Sequence, residues 1–195
     1  MKVRLPFRGM LPLLLLPGCA SPPPPAAPSP ATDNAEVARL CDEDQADRTP
    51  GANEPIDWKA VGPRDAARLA RIQELYRAGE LHSGPDFHRA ALVLQHGSEP
   101  EDFLLAHELC IVAIGKGELD ALWLCAASED RFLMNIARPQ RFATQYRTDK
   151  PGEPMHLYQV GEGVTDGLRA AFHAPALQQA REREDLINSL YKPKN

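Results

Sequence analysis

Nine polar side chains in this 195-residue chain are of a type and spacing that could do chemistry. Asp44 and Arg48 stand four residues apart with Gln45 beside them, the spacing of an ion pair along one helix face, worth a few tenths of a kcal/mol if exposed. Buried, the same pair would be structural or would form a site. Gln95-His96 closes an apolar stretch, and His107 follows eleven residues later. Asp130-Arg131 comes after an Ala-Ala-Ser stretch where close helix packing is expected, and Gln140 and Gln145 bracket Arg-Phe-Ala-Thr just after Pro139. Two carboxylates and two imidazoles are the ingredients of a general base held by an orienting acid. The arginines and amides are equally suited to a polar ligand or to the backbone groups that a helix end leaves unpaired.

Several reaction classes drop out at once. His107-Glu108 has no second histidine at zincin spacing, and Cys41, Cys110 and Cys125 do not have the spacing of a zinc motif. There is no Gly-x-Ser-x-Gly elbow and no glycine-rich loop to cradle a phosphate. No metal or cofactor is implied. A lone histidine on an apolar helix is most often a hydrogen-bonded core residue, and that reading stands beside the catalytic one for both His96 and His107.

The elements that must position these residues are mostly helical. Val37, Leu40 and Cys41 mark a short helix over 36–48, and 49–61, punctuated by Pro50, Gly51 and Pro55, reads as a loop. Pro63 suits a first helical position, with Leu69, Ile72, Leu75 and Tyr76 on one face of the helix that follows over 66–77. After the Gly84-Pro85 break, Asp86 is placed to cap a helix ending at Gly97. Ser98 and Glu101 have capping-box spacing for the next, and a third runs from about Leu119 to Ile136. Helix openings near 86, 102 and 120 are spaced by 16 and 18 residues, which sums to the tetratricopeptide period, although the rest of that consensus is missing. Antiparallel hairpins are expected either way. Residues 146–154 are polar and turn-rich, 156–160 form a short strand or extended segment, and a last amphipathic helix starts at Pro175-Ala176 with a solvated Arg-Glu-Arg-Glu face. The expected fold is therefore mostly α, with an irregular or short-strand segment near 150–163.

Ahead of this domain, Lys2, Arg4 and Arg8 precede a short apolar run over 10–16 and then Leu16-Pro17-Gly18-Cys19. A cationic start, a short apolar segment and small residues describe a secretory signal rather than a membrane span, which needs roughly 20 apolar residues. Leu-x-Gly-Cys resembles the lipobox of bacterial lipoproteins, with Pro17 standing where a small residue is usual. The resemblance implies removal of residues 1–18, acylation of Cys19 and, with no Asp after the cysteine, sorting to the outer membrane facing the periplasm. Residues 20–34, rich in Pro, Ala and Ser, cannot bury a core and favour polyproline II at about 3.1 Å per residue, which suits a tether. The domains expected are thus a signal over 1–18, a lipidated tether over 19–34 and one helical domain over 35–195. In an oxidising compartment a disulfide among Cys41, Cys110 and Cys125 and three buried thiols are both open readings, Cys110 and Cys125 flanking the Gly115-Lys116-Gly117 turn.

The whole chain carries a net charge of −5; the first 18 residues hold three of its 22 basic residues and none of its 27 acidic ones, so removing them would leave −8. That balance argues against nucleic acid and against electrostatic docking on anionic lipid.

Taken in order, Asp44-Gln45-x-x-Arg48, Gln95-His96-Gly97, the run from Asp102 to His107, Ala121-Leu122-Trp123-Leu124-x-Ala126-Ala127, Asp130-Arg131 and Pro139-Gln140-x-Phe142-x-Thr144-Gln145 resemble a bacterial family of mostly helical domains of unknown function. Val164-Thr165-Asp166 is a weaker likeness. The departure is Ala143, where the family usually has glycine. The resemblance implies a shared fold and a shared polar site, not a reaction. Two roles follow as expectations: a non-catalytic module binding an envelope protein or a polar small molecule, or an envelope hydrolase using His96 or His107 as base with Asp44 or Asp130 orienting it.

Overall fold

A computed structural model describes residues 32–49, 56–148, 150 and 153–190. The expected signal segment, Cys19, most of the tether, and Pro50, Gly51 and Pro55 lie outside the described residues. The protein is mostly helical: seven helices and one two-stranded sheet among the described residues, 62% helix. In chain order they are α1 (Ala35–Ala46), α2 (Trp58–Arg77), α3 (Gly84–Leu94), α4 (Pro100–Gly115), α5 (Ala121–Asn135), β1 (Tyr146–Arg147), β2 (His156–Leu157), α6 (Asp166–Ala171) and α7 (Leu177–Leu190).

Most starts have a side-chain cause, because the first amides of a helix have no partner within it; α5, preceded by Asp120, is an exception. Asn34 Oδ1 accepts from the amides of Glu36 and Val37, while its own amide donates to buried Asp86 at 2.8 Å. With Asp33 paired to Arg89, the folded domain already begins inside the expected tether. Asp57 accepts from the amides of Lys59 and Ala60, so α2 starts at Trp58, within the expected loop, and Pro63 sits inside the helix rather than at its first position. The aspartate cap and the burial of Val61 outweigh the intrahelical hydrogen bond that Pro63 cannot make. Ser83, not Asp86, caps α3, and Asp86 answers as the third residue of a reciprocal capping box. The same shift recurs at α4, where Asp102 accepts from the amide of Glu99.

Helices α3, α4 and α5 pack in succession, α3 on α4 and α4 on α5, with α1 and α2 laid against α3. Their shared core holds Val37, Leu40, Ile72, Leu75, Val93, Leu94, Leu109 and Leu124, with Ala90, Ala91, Ala106, Ala113 and Ala121 at the contacts. Small residues there let helix backbones approach closely, and losing a large one such as Leu94 or Leu124 to alanine typically costs about 2–5 kcal/mol. A tetratricopeptide-type repeat is not established by this packing.

After α5 the chain turns irregular, as expected. β1 pairs antiparallel with β2, and an isolated bridge joins Gln140 to Val160. A second small core of Ala126, Phe142, Val164 and Ala174 forms here, with the Phe142 and Phe172 rings 5.1 Å apart. Helix α6, capped by Thr165, was not anticipated from the sequence.

Candidate functional site

The nine candidates separate into three places. Asp44, Gln45, Arg48, His96 and Arg131 come together where α1, α2, the end of α3 and α5 meet. Asp130, Gln140 and Gln145 organise the segment after α5. His107 stands apart in the α4–α5 interface.

At the first place Asp44 is fully buried. Arg48 donates from Nη1 to its Oδ1 at 2.9 Å and Gln45 donates to its Oδ2 at 2.8 Å, so the i, i+4 pair anticipated from spacing is formed and buried. Burial pushes the Asp44 carboxyl above its usual range, and Arg48 and the Gln45 hydrogen bond pull against that. The rest of the network comes from α2 and was not anticipated. Arg48 also grips Asp65, at 2.7 Å from Nη2, and Arg68 reaches Asp65 at 2.6 Å and Asp47 at 2.7 Å. Arg64 holds Asp47 through two hydrogen bonds of 2.9 and 2.7 Å and, as the largest influence, keeps its carboxyl down at about 2. The sequence signal was present: Arg64, Asp65 and Arg68 lie on one stretch of helix, at i, i+1 and i+4. What it lacked was the register of α2 against α1.

His96 lies in the turn that ends α3, its Nε2 3.5 Å from Asp44 Oδ2. This is the base and carboxylate juxtaposition that the hydrolase expectation named. Burial, and then the positive charges of Arg48 and Arg131, hold the imidazole down at about 3, so at neutral pH the contact is that of a neutral ring and not an ion pair. Arg131 enters from α5 and donates from Nη1 to the carbonyl of Gln95 at 2.7 Å, at the C-terminal end of α3. Its Nε is enclosed with no acceptor, and among the described residues it meets no carboxylate. Burial, with Arg48 adding to it, pulls the Arg131 pKa down. Gly97 has its own reason: a Cβ there would run into the Asp102 carboxylate, which accepts from Gln73 of α2.

Asp130 is also fully buried, but its partners are backbone. It accepts from the amides of Arg141 at 2.6 Å, Phe142 at 2.9 Å and Thr144 at 3.1 Å, and from the Thr144 hydroxyl at 2.7 Å. One carboxylate thus folds residues 141–144 onto α5. Gln140 does the same between strands of chain: its Nε2 donates to the carbonyls of Gln145 and Tyr158, and its Oε1 accepts from the amide of Gln145. Gln145 donates to the carbonyl of Ala127 and to the Thr144 hydroxyl. These three residues are occupied in holding the loop, and the structure does not bring them into one cluster with Asp44 and His96. The left-handed backbone of Ala143, at φ 61°, belongs to the same turn.

His107 Nδ1 lies 2.9 Å from the carbonyl of Cys125 and 3.5 Å from its sulfur. A carbonyl only accepts, so Nδ1 carries the proton and the ring ties α4 to α5, the core role. Cys41, Cys110 and Cys125 are buried free thiols. Burial pushes Cys41 and Cys125 up to about 11 and Cys110 higher still, which leaves none of them a thiolate at neutral pH. Among the described residues no group of three His, Cys, Asp or Glu is placed to hold a metal ion. A cleft of about 580 Å³ lies between 157–164, Arg169 and α7; none of the nine candidates lines it, and Gln140 adjoins it through its hydrogen bonds to Tyr158 and Gln159.

Compared with protein-family models, with curated proteins and with solved structures, the chain matches none.

Proposed function

We propose that the chain is an exported lipoprotein whose helical domain, tethered at the outer membrane through Cys19, serves as a non-catalytic binding module at the cell envelope. The address rests on the charged start, short apolar run and Leu-x-Gly-Cys of the N-terminal residues. No helix among the described residues is long and apolar enough to cross a membrane.

The observation that carries the non-catalytic reading is the charge around His96. A general base must become an imidazolium during turnover, and its ideal pKa lies near the working pH. Arg48 and Arg131 flank this ring and disfavour that cation. The thiols are protonated, and the Asp44 and Asp65 carboxylates are held by guanidiniums. The same groups suit recognition, since fixed donors in a partly dry site discriminate between ligands without proton transfer. A hydrolase is the second reading, favoured only by the 3.5 Å His96–Asp44 contact.

Cell fractionation and an activity screen test the two halves. Cys19→Ala should move the full-length protein from the membrane fraction to the soluble periplasm; retention in the membrane overturns the anchor. Turnover of ester, amide or glycoside substrates that is lost in His96→Gln overturns the binding role in favour of the hydrolase.

A further inference from the structure

The charged cluster is one negative charge short. Asp44, Asp47 and Asp65 are matched by Arg48, Arg64 and Arg68 through direct ion pairs within α1 and α2 and the turn after α1. Arg131 is the fourth cation. Its one bond to Gln95 places it at the negative end of the α3 dipole, which supplies about half an elementary charge. Its enclosed Nε has no acceptor, and Nη2 bonds to no described residue. A largely desolvated cation without a counter-charge typically costs several kcal/mol, and proteins avoid leaving one so. The adjoining side chains are not sealed from solvent: Arg48 is 14% exposed and His96 19% exposed.

We propose that Arg131, with Arg48 and His96 beside it, binds a small oxyanion of single net charge, a carboxylate or a phosphodiester; this rests on reading the domain as a binding module. With Nη1 held by the Gln95 carbonyl, the Nε–Nη2 edge of the planar guanidinium is the one whose parallel donors match two oxygens of either group, which a point charge does not. One negative charge neutralises the surplus. A cationic ligand would meet Arg48 and Arg131 together. The neutral His96 ring completes the wall as a hydrogen-bonding group at no charge cost, and an anion beside it offsets the repulsion that adds to burial in lowering His96 and Arg131.

The test uses the full-length protein at low ionic strength, with acetate, dimethyl phosphate and the neutral sugar N-acetylglucosamine as probes, each against chloride at matched ionic strength. Nuclear magnetic resonance of the Arg131 Nε–H and the His96 ring follows binding. Acetate or dimethyl phosphate should give saturable shifts with a Kd of about 1–10 mM, the range of an isolated charge-assisted contact. Which of the two binds more tightly distinguishes a carboxylate ligand from a lipid-type phosphodiester. Arg131→Met should weaken the preferred anion at least tenfold, read for this variant on the His96 ring, and exposed Arg138→Met should leave it unchanged. If Arg131→Met does not fold, Arg131→Lys, which keeps the charge and loses the fork, should weaken it several-fold. Undiminished affinity in either Arg131 variant, or no saturable response to both anions, overturns the assignment. A saturable response to N-acetylglucosamine alone also overturns it, while leaving the binding role intact.

Discussion

Replacing Asp130 with asparagine is the sharpest probe of how this fold holds its irregular half. The change is isosteric and removes one charge. With the amide oxygen in the Oδ1 position, the bonds from Arg141 and Phe142 survive, at 2.6 and 2.9 Å in the parent. The amide nitrogen then occupies the Oδ2 position, where it can donate to a reoriented Thr144 hydroxyl but faces the Thr144 amide as donor against donor. The opposite orientation is worse, because the Arg141 amide loses its acceptor at 2.6 Å and Phe142 keeps only its longer 3.2 Å contact. The better case leaves one buried N–H unpaired, about 1–3 kcal/mol, and turns two charge-assisted bonds into neutral ones at about 1 kcal/mol each. A loss of roughly 3–5 kcal/mol follows, a large fraction of a typical domain's 5–15 kcal/mol.

Urea unfolding measures the global loss, and amide exchange localises it. The amides of Phe142 and Thr144 should exchange far faster in Asp130→Asn, while those inside α4 should change only as much as global stability does. A variant within about 0.5 kcal/mol of the parent, the usual range of an inconsequential surface change, would refute the idea that this carboxylate organises residues 141–144.

Two further perturbations test other parts of the argument. His96 is held at about 3 against an ordinary 6.5. The unfolded chain therefore binds a proton that the folded one refuses, and the stability present above pH 6.5 is lost as the pH falls toward 3. At pH 5 this amounts to about 2 kcal/mol, at about 1.4 kcal/mol per pH unit below 6.5. His96→Gln should flatten the stability profile between pH 7 and 5 by that amount. Half-buried His88, also lowered, keeps its share of the slope, and Asp44, which is raised, acts in the opposite sense, so the readout is the difference between variant and parent at each pH. Equal slopes would show that burial and the charges of Arg48 and Arg131 do not hold this ring neutral. Ala143→Gly should cost nothing or stabilise slightly by urea unfolding, because the left-handed backbone penalises alanine by about 1–2 kcal/mol and glycine not at all, offsetting the lost methyl. A loss above about 1 kcal/mol, as for an ordinary buried alanine, would contradict the turn geometry.

Which parts were legible beforehand follows from where each residue's partners come from. The Asp44–Arg48 pair was readable because the i, i+4 spacing alone brings them together, with Arg48 in the turn that ends α1. The apolar stripes of α1 and α3–α5 were readable for the same reason. Arg48's grip on Asp65 joins two helices 17 residues apart in the chain, and no local spacing encodes it. The starts of α3 and α4 differ from the expectation because Asp86 and Asp102 serve as the third helical residue, accepting from the amides of Ser83 and Glu99, although Ser98 is by type the better cap. Pro63 misled because a proline is most comfortable at a helix start, whereas Asp57 and Val61 extended α2 around it.

For Asp130 and Gln140 the sequence leaves two readings open, a polar ligand or unpaired backbone groups, for a deeper reason. Their polarity, spacing and position after an alanine-rich helix fit a ligand site, and they do bind something: the chain's own amides and carbonyls. Backbone groups are the one kind of partner present in every sequence, so nothing in residue identity separates a loop-holding carboxylate from a ligand-holding one. What separates them is completeness. Asp130 and Gln140 reach a full set of partners inside the chain, and His107 finds its own in the Cys125 carbonyl. Arg131, the immediate neighbour of Asp130, has one acceptor for its cationic fork and no opposing carboxylate among the described residues. Of two adjacent residues of opposite charge, the buried anion is satisfied and the buried cation is not, and the unsatisfied one is where a ligand has something to add.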